Sequence, residues 1–461
     1  MITSPAFKGK RFAVLGLARS GAAAAEALLA SGAEVIGWDR QPHAREPYEG
    51  RCRLIDPLEL DLTGFAGVVV SPGVPLNTHP IGPHSRQYGL PVIGDIELFA
   101  MARASLPPHK VVAITGTNGK STTTALVHHI LKSAGVPSVM GGNIGDPILG
   151  QAPLAPNDKG VGVYVLELSS FQIDLTFTLD CDIAALTNIT PDHLDRYADF
   201  AAYAAAKERL FQMQQTGTAI ICDEDAPTLA IAGRREAAGK APVRVRTADL
   251  EAAGLAAGRS PALAGPHNAQ NAAVAVAICR QLGLSDEQIA KGLATYRGLP
   301  HRMERVCEAR GVTYINDSKA TNAASAAPAL AAFPPDPAIN GGLPRIHWIV
   351  GGLPKEDGLG ACADHLGNVA AAYTVGEAGP MFAEHLEGQV RVERCELISE
   401  AVRRAEEAAR PGEIVLLSPA CASYDQFRDY EKRGHHFRQM VGVITGCDTC
   451  DDVAADRSLL P

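Results

Sequence analysis

The sequence predicts an α/β protein of three domains, each built on a mainly parallel sheet with flanking helices. The chain has 461 residues, which is too long for one ordinary domain. Short apolar, β-branched runs alternate with Ala- and Leu-rich segments, and these runs repeatedly end in small polar or Gly-rich turns. That alternation is typical of parallel sheets whose strands are joined by helices. We place the domains at residues 1–97, 98–300 and 301–461.

The composition excludes several classes of function. The chain is 46% hydrophobic and 20% charged, with a formal net charge of −9 and scattered basic residues, so no nucleic-acid partner is expected. No uninterrupted apolar span reaches membrane length, and we expect no membrane partner and a cytoplasmic location. The ten cysteines fit reduced, mostly buried thiols. Cys447 and Cys450 form a single CxxC, which is weak evidence for a zinc site.

The first domain opens with a βαβ unit over residues 11–39, and we expect it to be Rossmann-like. Gly16 to Gly21 has a GxAxxG spacing at the strand-to-helix turn, and Asp39 ends the second strand where an acid often binds a ribose. A third strand, at 68–70, runs into a turn at Gly73. These features indicate a nucleotide diphosphate site. A nicotinamide-binding domain is the alternative.

The central domain is organised around a predicted phosphate loop between a strand and a helix at 111–125, which makes it similar to a P-loop ATPase. The loop, Gly116 to Ser121, is shorter than a Walker motif, since Ile114 stands where that motif needs glycine. Backbone N–H groups and the helix N-terminus would face a phosphate, with Lys120 on the β- and γ-phosphates and Ser121 on Mg²⁺. The alternative is an ordinary turn with a solvated lysine.

Polar residues follow the other strands of this domain. Glu167 ends a strand at 161–166 and is placed to hold Mg²⁺, directly or through water, or to form a cap. His193 follows a strand at 183–189 and has either a site role or a structural one. Lys207 lies in an Ala-rich helix, and composition alone predicts that it faces solvent. Asn271 could bind a purine edge or cap a helix, and Arg302, beyond the hinge candidate at 298–300, could reach a transferring phosphate.

The last third contains a further alternation of strands and helices. Predicted strands at 312–315, 347–350, 375 and 414–417 each precede small polar residues, which indicates a small parallel, Rossmann-like sheet with a binding face at one edge. We predict a disordered tail from about residue 447.

Seven stretches of the chain, taken together and in order, resemble the Mur ligases. They are GTNGKST (116–122), LELSSFQ (166–172), NITPDHLDRY (188–197), GPHNAQN (265–271), GLPHR (298–302), NDSKATN (316–322) and LSPACASYDQF (417–427). The resemblance covers nearly the whole chain, and the set is far more specific than any one member.

The resemblance implies an ATP-dependent, ADP-forming ligase with Mg²⁺ as cofactor. The motifs are most similar to those of family members that join D-glutamate to UDP-N-acetylmuramoyl-L-alanine, through an acyl phosphate, in peptidoglycan precursor synthesis. The first domain would bind UDP, the central domain ATP and Mg²⁺, and the third domain the amino acid and part of the ATP. We expect a monomer.

The resemblance also implies roles for individual residues. The UDP-linked substrate would contact Leu17, Asp39, Arg40, Gly73 and Asn143. ATP would contact Gly116, Thr117, Asn118, Gly119, Lys120, Ser121, Thr122, Asn271, Arg302 and Asp317. D-glutamate would contact Thr321, Lys355, Ser423 and Tyr430. The metal set would be Ser121, Glu167, His193 and Lys207, the last as a carbamate, because an ammonium beside a divalent cation is repelled. The catalytic set would be Lys120, His193, Lys207 and Arg302.

Three other functions remain open. A folylpolyglutamate-type or another Mur-type ligase with a different acceptor would share the loop, although the folylpolyglutamate type has no need for the unit with Gly16 and Asp39. A nicotinamide oxidoreductase would use that unit and leave the phosphate loop idle. A non-catalytic nucleotide-binding module would not need Lys120, Glu167 and His193 on one sheet edge.

Overall fold

The computed structural model describes residues 1–193, 196–255, 260–263, 265–355 and 357–447. It contains three sheets with flanking helices, so the predicted α/β class is confirmed. The described residues form two compact units, one within 1–249 and 273–292, the other within 250–272 and 293–447. The predicted tail lies outside the described residues, apart from Cys447. Among the described residues, no helix is long and apolar enough to cross a membrane.

The first sheet has five parallel strands in the order β3-β2-β1-β4-β5. Gly21 lies in the first helix, where a side chain would overlap the Gly16 carbonyl, so the second glycine of the motif allows the helix to pack closely on the strand. The strands are β1 (Arg11–Leu15), β2 (Glu34–Trp38), β3 (Arg53–Leu54), β4 (Gly67–Val70) and β5 (Val92–Ile93). The helices are α1 (Arg19–Ala30), α2 (Pro42–Arg45), α3 (Ile81–Gln87) and α4 (Asp95–Ala102).

The second sheet has six parallel strands in the order β11-β10-β9-β6-β8-β7, with the strand before the phosphate loop at its centre. The strands are β6 (His109–Thr115), β7 (Ser138–Gly142), β8 (Gly162–Glu167), β9 (Ile183–Leu186), β10 (Thr218–Cys222) and β11 (Val243–Val245). The helices that follow in the chain are α5 (Lys120–Ser133), α6 (Ser170–Asp174), α7 (Phe200–Met213), α8 (Ala226–Ala237), α9 (Thr247–Ala252), α10 (Pro266–Gln281) and α11 (Asp286–Thr295).

The first two sheets share one hydrophobic core, which runs from Val14 through Phe99 of α4 to Tyr164. The predicted boundary after Glu97 falls inside α4, where the buried Glu97 carboxylate accepts N–H hydrogen bonds from Phe177 and Thr178. This helix therefore joins the first two sheets into one unit. The boundaries at 97 and 300 stay predictions.

The third sheet has six strands in the order β12-β13-β17-β14-β15-β16, all parallel except the β12–β13 pair. All four predicted strands are present, and two edge strands, β12 and β16, were not predicted. The strands are β12 (Glu304–Ala309), β13 (Val312–Asn316), β14 (Ile346–Gly351), β15 (Val369–Val375), β16 (Arg391–Glu396) and β17 (Ile414–Leu417). The helices are α12 (Ala323–Ala331), α13 (Gly379–Leu386), α14 (Ile398–Ala408) and α15 (Tyr430–Thr445).

Alternate residues of the third sheet supply two cores. Trp348 and Leu416 face α12 and α13, whereas Ile349 and Leu417 face α14 and α15. Helices therefore cover both faces, as a parallel sheet requires, and the carboxyl ends of its strands are left as the edge where binding loops collect.

Candidate active site

The candidate UDP site lies at the carboxyl ends of β1, β2 and β4, where the strand order reverses. The Leu17 N–H donates to Asp39 Oδ2 at 2.7 Å, and the Gln41 N–H donates to Asp39 Oδ1 at 2.9 Å. Leu17 is buried, whereas Arg40 and Gly73 are exposed. The geometry places the predicted Leu17, Asp39 and Gly73 at one switch point, the usual ligand position in such sheets. The two backbone bonds fix Asp39 and leave carboxylate lone pairs for further donors.

The phosphate loop is held in shape by the loop that follows β9. The Thr117 N–H donates to the Asn188 carbonyl oxygen, and the Asn118 N–H donates to Asn188 Oδ1, each at 2.8 Å. Gly119 has φ +81° and caps α5, which begins at Lys120. The half-buried Ser121 and Thr122 lie in the first turn. A helix N-terminus fixed in this way offers oriented N–H groups to an anion.

Gly116 makes this loop geometry possible, and its replacement tests it. Its φ is +150°, and an added Cβ would overlap Thr187 Oγ1. We expect Gly116→Ala to lower the free energy of unfolding by roughly 2–4 kcal/mol, since backbone strain and overlap add. Gly233→Ala in α8, where nothing lies within 4 Å of the new Cβ, is the control. Thermal denaturation followed by circular dichroism should show a lower midpoint for Gly116→Ala alone, and equal midpoints for both variants would contradict this prediction.

Two lysines converge on the carbonyl of Gly116. Lys120 Nζ donates to the carbonyl oxygens of Gly116 at 3.0 Å and Thr117 at 2.8 Å, and Lys207 Nζ donates to Gly116 at 2.7 Å. Lys207 is only 1% exposed, and its Nζ lies 4.6 Å from the centre of the Tyr203 ring. The prediction from composition that Lys207 faces solvent is therefore wrong. Its helix, α7, lies against the phosphate loop, where the Tyr203 hydroxyl is also hydrogen-bonded to Thr117 Oγ1 at 3.1 Å.

The surroundings of Lys207 disfavour its positive charge. Burial is the main cause, the charge of Lys120 adds to it, and together they lower the pKa of Lys207 to about 7. Asp192, Asp174 and Glu167 act in the opposite direction without restoring the ordinary pKa. A large share of this amine is therefore uncharged near neutral pH.

The predicted metal residues are placed at the same sheet edge, and one of them has a free oxygen. Glu167 is buried at the end of β8, and its Oε1 accepts a hydrogen bond from Asn143 Nδ2 at 2.9 Å. Its Oε2 has no hydrogen-bond partner among the residues that the structure describes. A buried carboxylate oxygen with no donor suits a hard cation, so this site fits Mg²⁺. Asn143, predicted to contact the substrate, is thus tied to Glu167.

Among the described residues, His193 does not belong to a preformed cluster of metal ligands. It is exposed, has φ +53°, and packs its ring 4.8 Å from that of Phe171, while Asp192 Oδ2 lies 3.5 Å from its Nε2. In the described part of the chain, no three His, Cys, Asp or Glu side chains are grouped as metal ligands. The roles of His193, Ser121 and Lys207 in metal binding stay predictions.

The residues of the second unit that were predicted to contact ATP are polar side chains that can form further hydrogen bonds. Asn271 is buried, and its Nδ2 donates to Asn268 Oδ1 at 3.2 Å. Arg302 is half-buried, and its buried Nε has no hydrogen-bond partner within the described ranges. The buried Asp317 accepts from the Met303 N–H at 3.1 Å and from Ser418 Oγ at 2.8 Å. Burial raises the pKa of Asp317 to about 7.

The raised pKa of Asp317 predicts a pH-dependent stability. Between about pH 4 and pH 7 the Asp317 carboxyl is deprotonated in the unfolded chain and protonated in the folded chain. The stabilisation of the folded state by this bound proton is therefore fully present below pH 4 and is lost as the pH rises through 7. The change amounts to at most about 4 kcal/mol. We expect the unfolding midpoint of the unchanged protein to fall across this range relative to that of Asp317→Asn, which cannot titrate. Parallel curves for the two proteins would show that Asp317 titrates normally.

Of the four residues predicted to contact the amino acid, Thr321 and Lys355 are in direct contact at the carboxyl edge of the third sheet. Lys355 Nζ donates to Thr321 Oγ1 at 3.2 Å, and Leu353 forms a bridge with Ala422, next to the buried Ser423. Tyr430 begins α15, and its hydroxyl accepts from Lys319 Nζ at 3.0 Å. These contacts link loops that follow β13, β14 and β17.

Arg433 is a residue that the sequence did not reveal. Its buried guanidinium donates to Ser318 Oγ and to the carbonyl oxygens of Ser318, Cys421 and Ala422, at 2.8–3.1 Å. Burial lowers the pKa of Arg433 to about 10. The Arg433 guanidinium thus holds the loop beside Asp317 against the loop beside Ser423. The only signal in the sequence is an Arg-Gly step in a charged helix, which ordinarily indicates a solvated face.

Comparison with known proteins places the chain in a family. A family model described as the Mur ligase middle domain matches residues 114–279, and one described as the Mur ligase glutamate ligase domain matches residues 301–421. Proteins named UDP-N-acetylmuramoylalanine–D-glutamate ligase are similar over nearly their whole length. The one from Novosphingobium aromaticivorans is 60% identical, covering 96% of this chain and 97% of its own. The one from Zymomonas mobilis is 52% identical, covering 96% and 100%.

A solved structure shares the fold at low identity. UDP-N-acetylmuramate-alanine ligase from Thermotoga maritima is 18% identical, with a TM-score of 0.55 over 94% of this chain and 99% of that one. On the two family models and the full-length relatives, the chain belongs to the Mur ligase family.

Proposed function

We propose that this protein is an ATP-dependent ligase that joins D-glutamate to the L-alanine carboxyl of UDP-N-acetylmuramoyl-L-alanine, releasing ADP and phosphate. The observation that carries this proposal is that relatives named UDP-N-acetylmuramoylalanine–D-glutamate ligase are 52–60% identical over 96% of the chain. ATP and nucleotide-linked precursors are cytoplasmic compounds, so we place the reaction in the cytoplasm. We also propose that it acts as a monomer, which light scattering coupled to size exclusion would test.

The first sheet would bind the UDP group. Asp39 is fixed by two backbone donors and keeps lone pairs for the ribose hydroxyls. Leu17, Arg40 and Gly73 surround the same switch point, where an exposed guanidinium suits a diphosphate. Asn143, next to Glu167, would contact the muramoyl part.

The phosphate loop would hold ATP for attack by the alanine carboxylate. Gly116 to Thr122 would bind the phosphates through N–H groups and the Lys120 ammonium. The residues of the second unit that we propose as ATP contacts are Asn271, Arg302 and Asp317. Mg²⁺ would be held by Ser121, Glu167, His193 and Lys207, and when bound it neutralises phosphate charge. Lys120, held by the Gly116 and Thr117 carbonyls, would be a fixed cation for the charge that develops on the transferring phosphoryl group, and the same role is proposed for Arg302.

We propose that Lys207 carries a carbamate in the working enzyme. Its buried amine is aimed at the phosphate loop beside Lys120, a place where a second ammonium is repelled. The uncharged amine can add CO₂, with loss of one proton, and this converts a cation into an anionic oxygen ligand. The low pKa of Lys207 supplies the uncharged amine that this step needs.

After phosphoryl transfer, amide formation requires only that D-glutamate is bound beside the acyl phosphate. Transfer of the γ-phosphoryl group to the alanine carboxylate gives an acyl phosphate and ADP. The uncharged amine of D-glutamate attacks the acyl carbon, and phosphate leaves from the tetrahedral intermediate as the amine loses its proton. The carboxylates and main-chain atoms of D-glutamate would be bound by Thr321, Lys355, Ser423 and Tyr430, with Lys355 as the cation.

Phosphate release tests the proposed function. We expect release from ATP only when UDP-N-acetylmuramoyl-L-alanine and D-glutamate are both present, with one product per phosphate. Three controls replace the proposed substrates. L-glutamate replaces D-glutamate, L-alanine with UDP-N-acetylmuramate replaces both substrates, and a folate acceptor replaces UDP-N-acetylmuramoyl-L-alanine. NADH absorbance should not change. Release with a control pair and none with the proposed pair would assign a different acceptor.

A further inference from the structure

Two free thiols of the second unit lie beside one hydroxyl at the end of α15. Cys307 belongs to β12, and its Sγ lies 3.8 Å from Thr445 Oγ1. The same Thr445 oxygen accepts the Cys447 N–H at 3.2 Å. Cys447 Sγ lies 3.8 Å from the carbonyl oxygen of Glu308, the residue after Cys307. Cys447 also lies close enough to raise the pKa of the Cys307 thiol. The contacts place both thiols side by side.

We propose that Cys307 and Cys447 form a reversible disulfide that links the end of α15 to β12. Hydrogen peroxide is the oxidant: a Cys447 thiolate attacks one peroxide oxygen, giving a sulfenic acid and, after proton transfer, one water molecule. The Cys307 sulfur then attacks Cys447 Sγ, the S–S bond forms, and a second water leaves with the remaining protons. Two thiols are oxidised and one peroxide is reduced.

The surroundings of the two thiols decide which one reacts first and distinguish them from other cysteines. Burial and the neighbouring Cys447 raise the pKa of Cys307 to about 12, so Cys307 stays a thiol and the reaction begins at Cys447. In the described part of this unit, the other free cysteines, Cys362, Cys395 and Cys421, are buried. Cys307 and Cys447 are both half-buried, and peroxide can reach them.

The bond would restrain the elements that carry the proposed binding residues. In the described part of the chain β12 is an edge strand paired with β13 alone, and it follows Arg302. α15 carries Tyr430 and Arg433 at its other end. The closed loop would contain β13 to β17, and a cross-link of so long a loop restricts the unfolded chain strongly. Oxidation should therefore stabilise this unit and stop the helix end from fraying.

Mild oxidation of the full-length protein tests the site. We expect intact mass to fall by about 2 Da, a Cys307–Cys447 linked peptide in a non-reducing digest, and a rise of several degrees in the unfolding midpoint that dithiothreitol reverses. Cys307→Ser and Cys447→Ser should each abolish all three changes. Cys450→Ser, which removes the other thiol of the C-terminal pair, should keep them. A Cys447–Cys450 linked peptide, a disulfide between chains, or an unchanged midpoint would overturn the proposal.

Discussion

Replacement of Lys120 by alanine is expected to leave a folded protein whose ligase turnover is reduced by about 10²- to 10³-fold. Its ammonium is the fixed cation at the start of α5 and contacts the carbonyls of Gly116 and Thr117. With ATP bound, the same group would stabilise charge on the transferring phosphoryl group. Steady-state phosphate release, with circular dichroism to check folding, measures the effect.

Lys132→Ala is the matched control for Lys120→Ala. Lys132 is exposed in the last turn of the same helix, so the change in net charge is identical. We expect near-normal turnover in this control. Equal activities for Lys120→Ala and the unchanged protein would remove the phosphate loop from the mechanism.

Lys207→Ala is expected to lose most of its activity, and acetate is expected to restore part of it. The substitution removes the amine that would be carbamylated and leaves space beside Gly116, into which a small carboxylate can bring the missing oxygens. Activity measured against acetate concentration should rise and saturate. Mass spectrometry of the unchanged protein after trapping of the carbamate should find one added CO₂ at Lys207.

Lys207→Arg separates charge from carbamate chemistry. Arginine keeps a cation at this buried position and cannot form the carbamate at neutral pH. We expect Lys207→Arg to be inactive and to show no response to acetate, because its side chain fills the space. Full activity in Lys207→Arg, or in Lys207→Ala without acetate, would contradict the carbamate.

The fold was largely predictable because its strands are buried on both faces. Val111 to Ile114 of β6 and the whole of β17 are continuous apolar runs, which is the signal of a covered parallel strand. The edge strands β12 and β16 are charged and only partly buried, so no apolar period marks them. Their pairing depends on neighbours distant in sequence, which local pattern does not contain.

The candidate site was predictable where backbone geometry dictates composition, as in the phosphate loop with Gly116 and Gly119. Burial of a side chain by residues distant in the sequence was not predictable. Lys207 and Arg433 stand in helices whose local composition predicts solvent exposure, yet both are buried by elements far away in the chain. The pairing of Asn143 with Glu167 likewise follows from the alignment of β7 beside β8. Only the tertiary structure supplies such information.

Isotope transfer tests the proposed ligase chemistry most directly. UDP-N-acetylmuramoyl-L-alanine labelled with ¹⁸O in the alanine carboxylate would be converted with ATP and D-glutamate, and the released phosphate analysed by mass spectrometry. Because the carboxylate oxygen that attacks phosphorus leaves with the phosphate, we predict one ¹⁸O atom in each phosphate and one in the new amide carbonyl. Amide product accompanied by unlabelled phosphate would contradict the acyl-phosphate pathway.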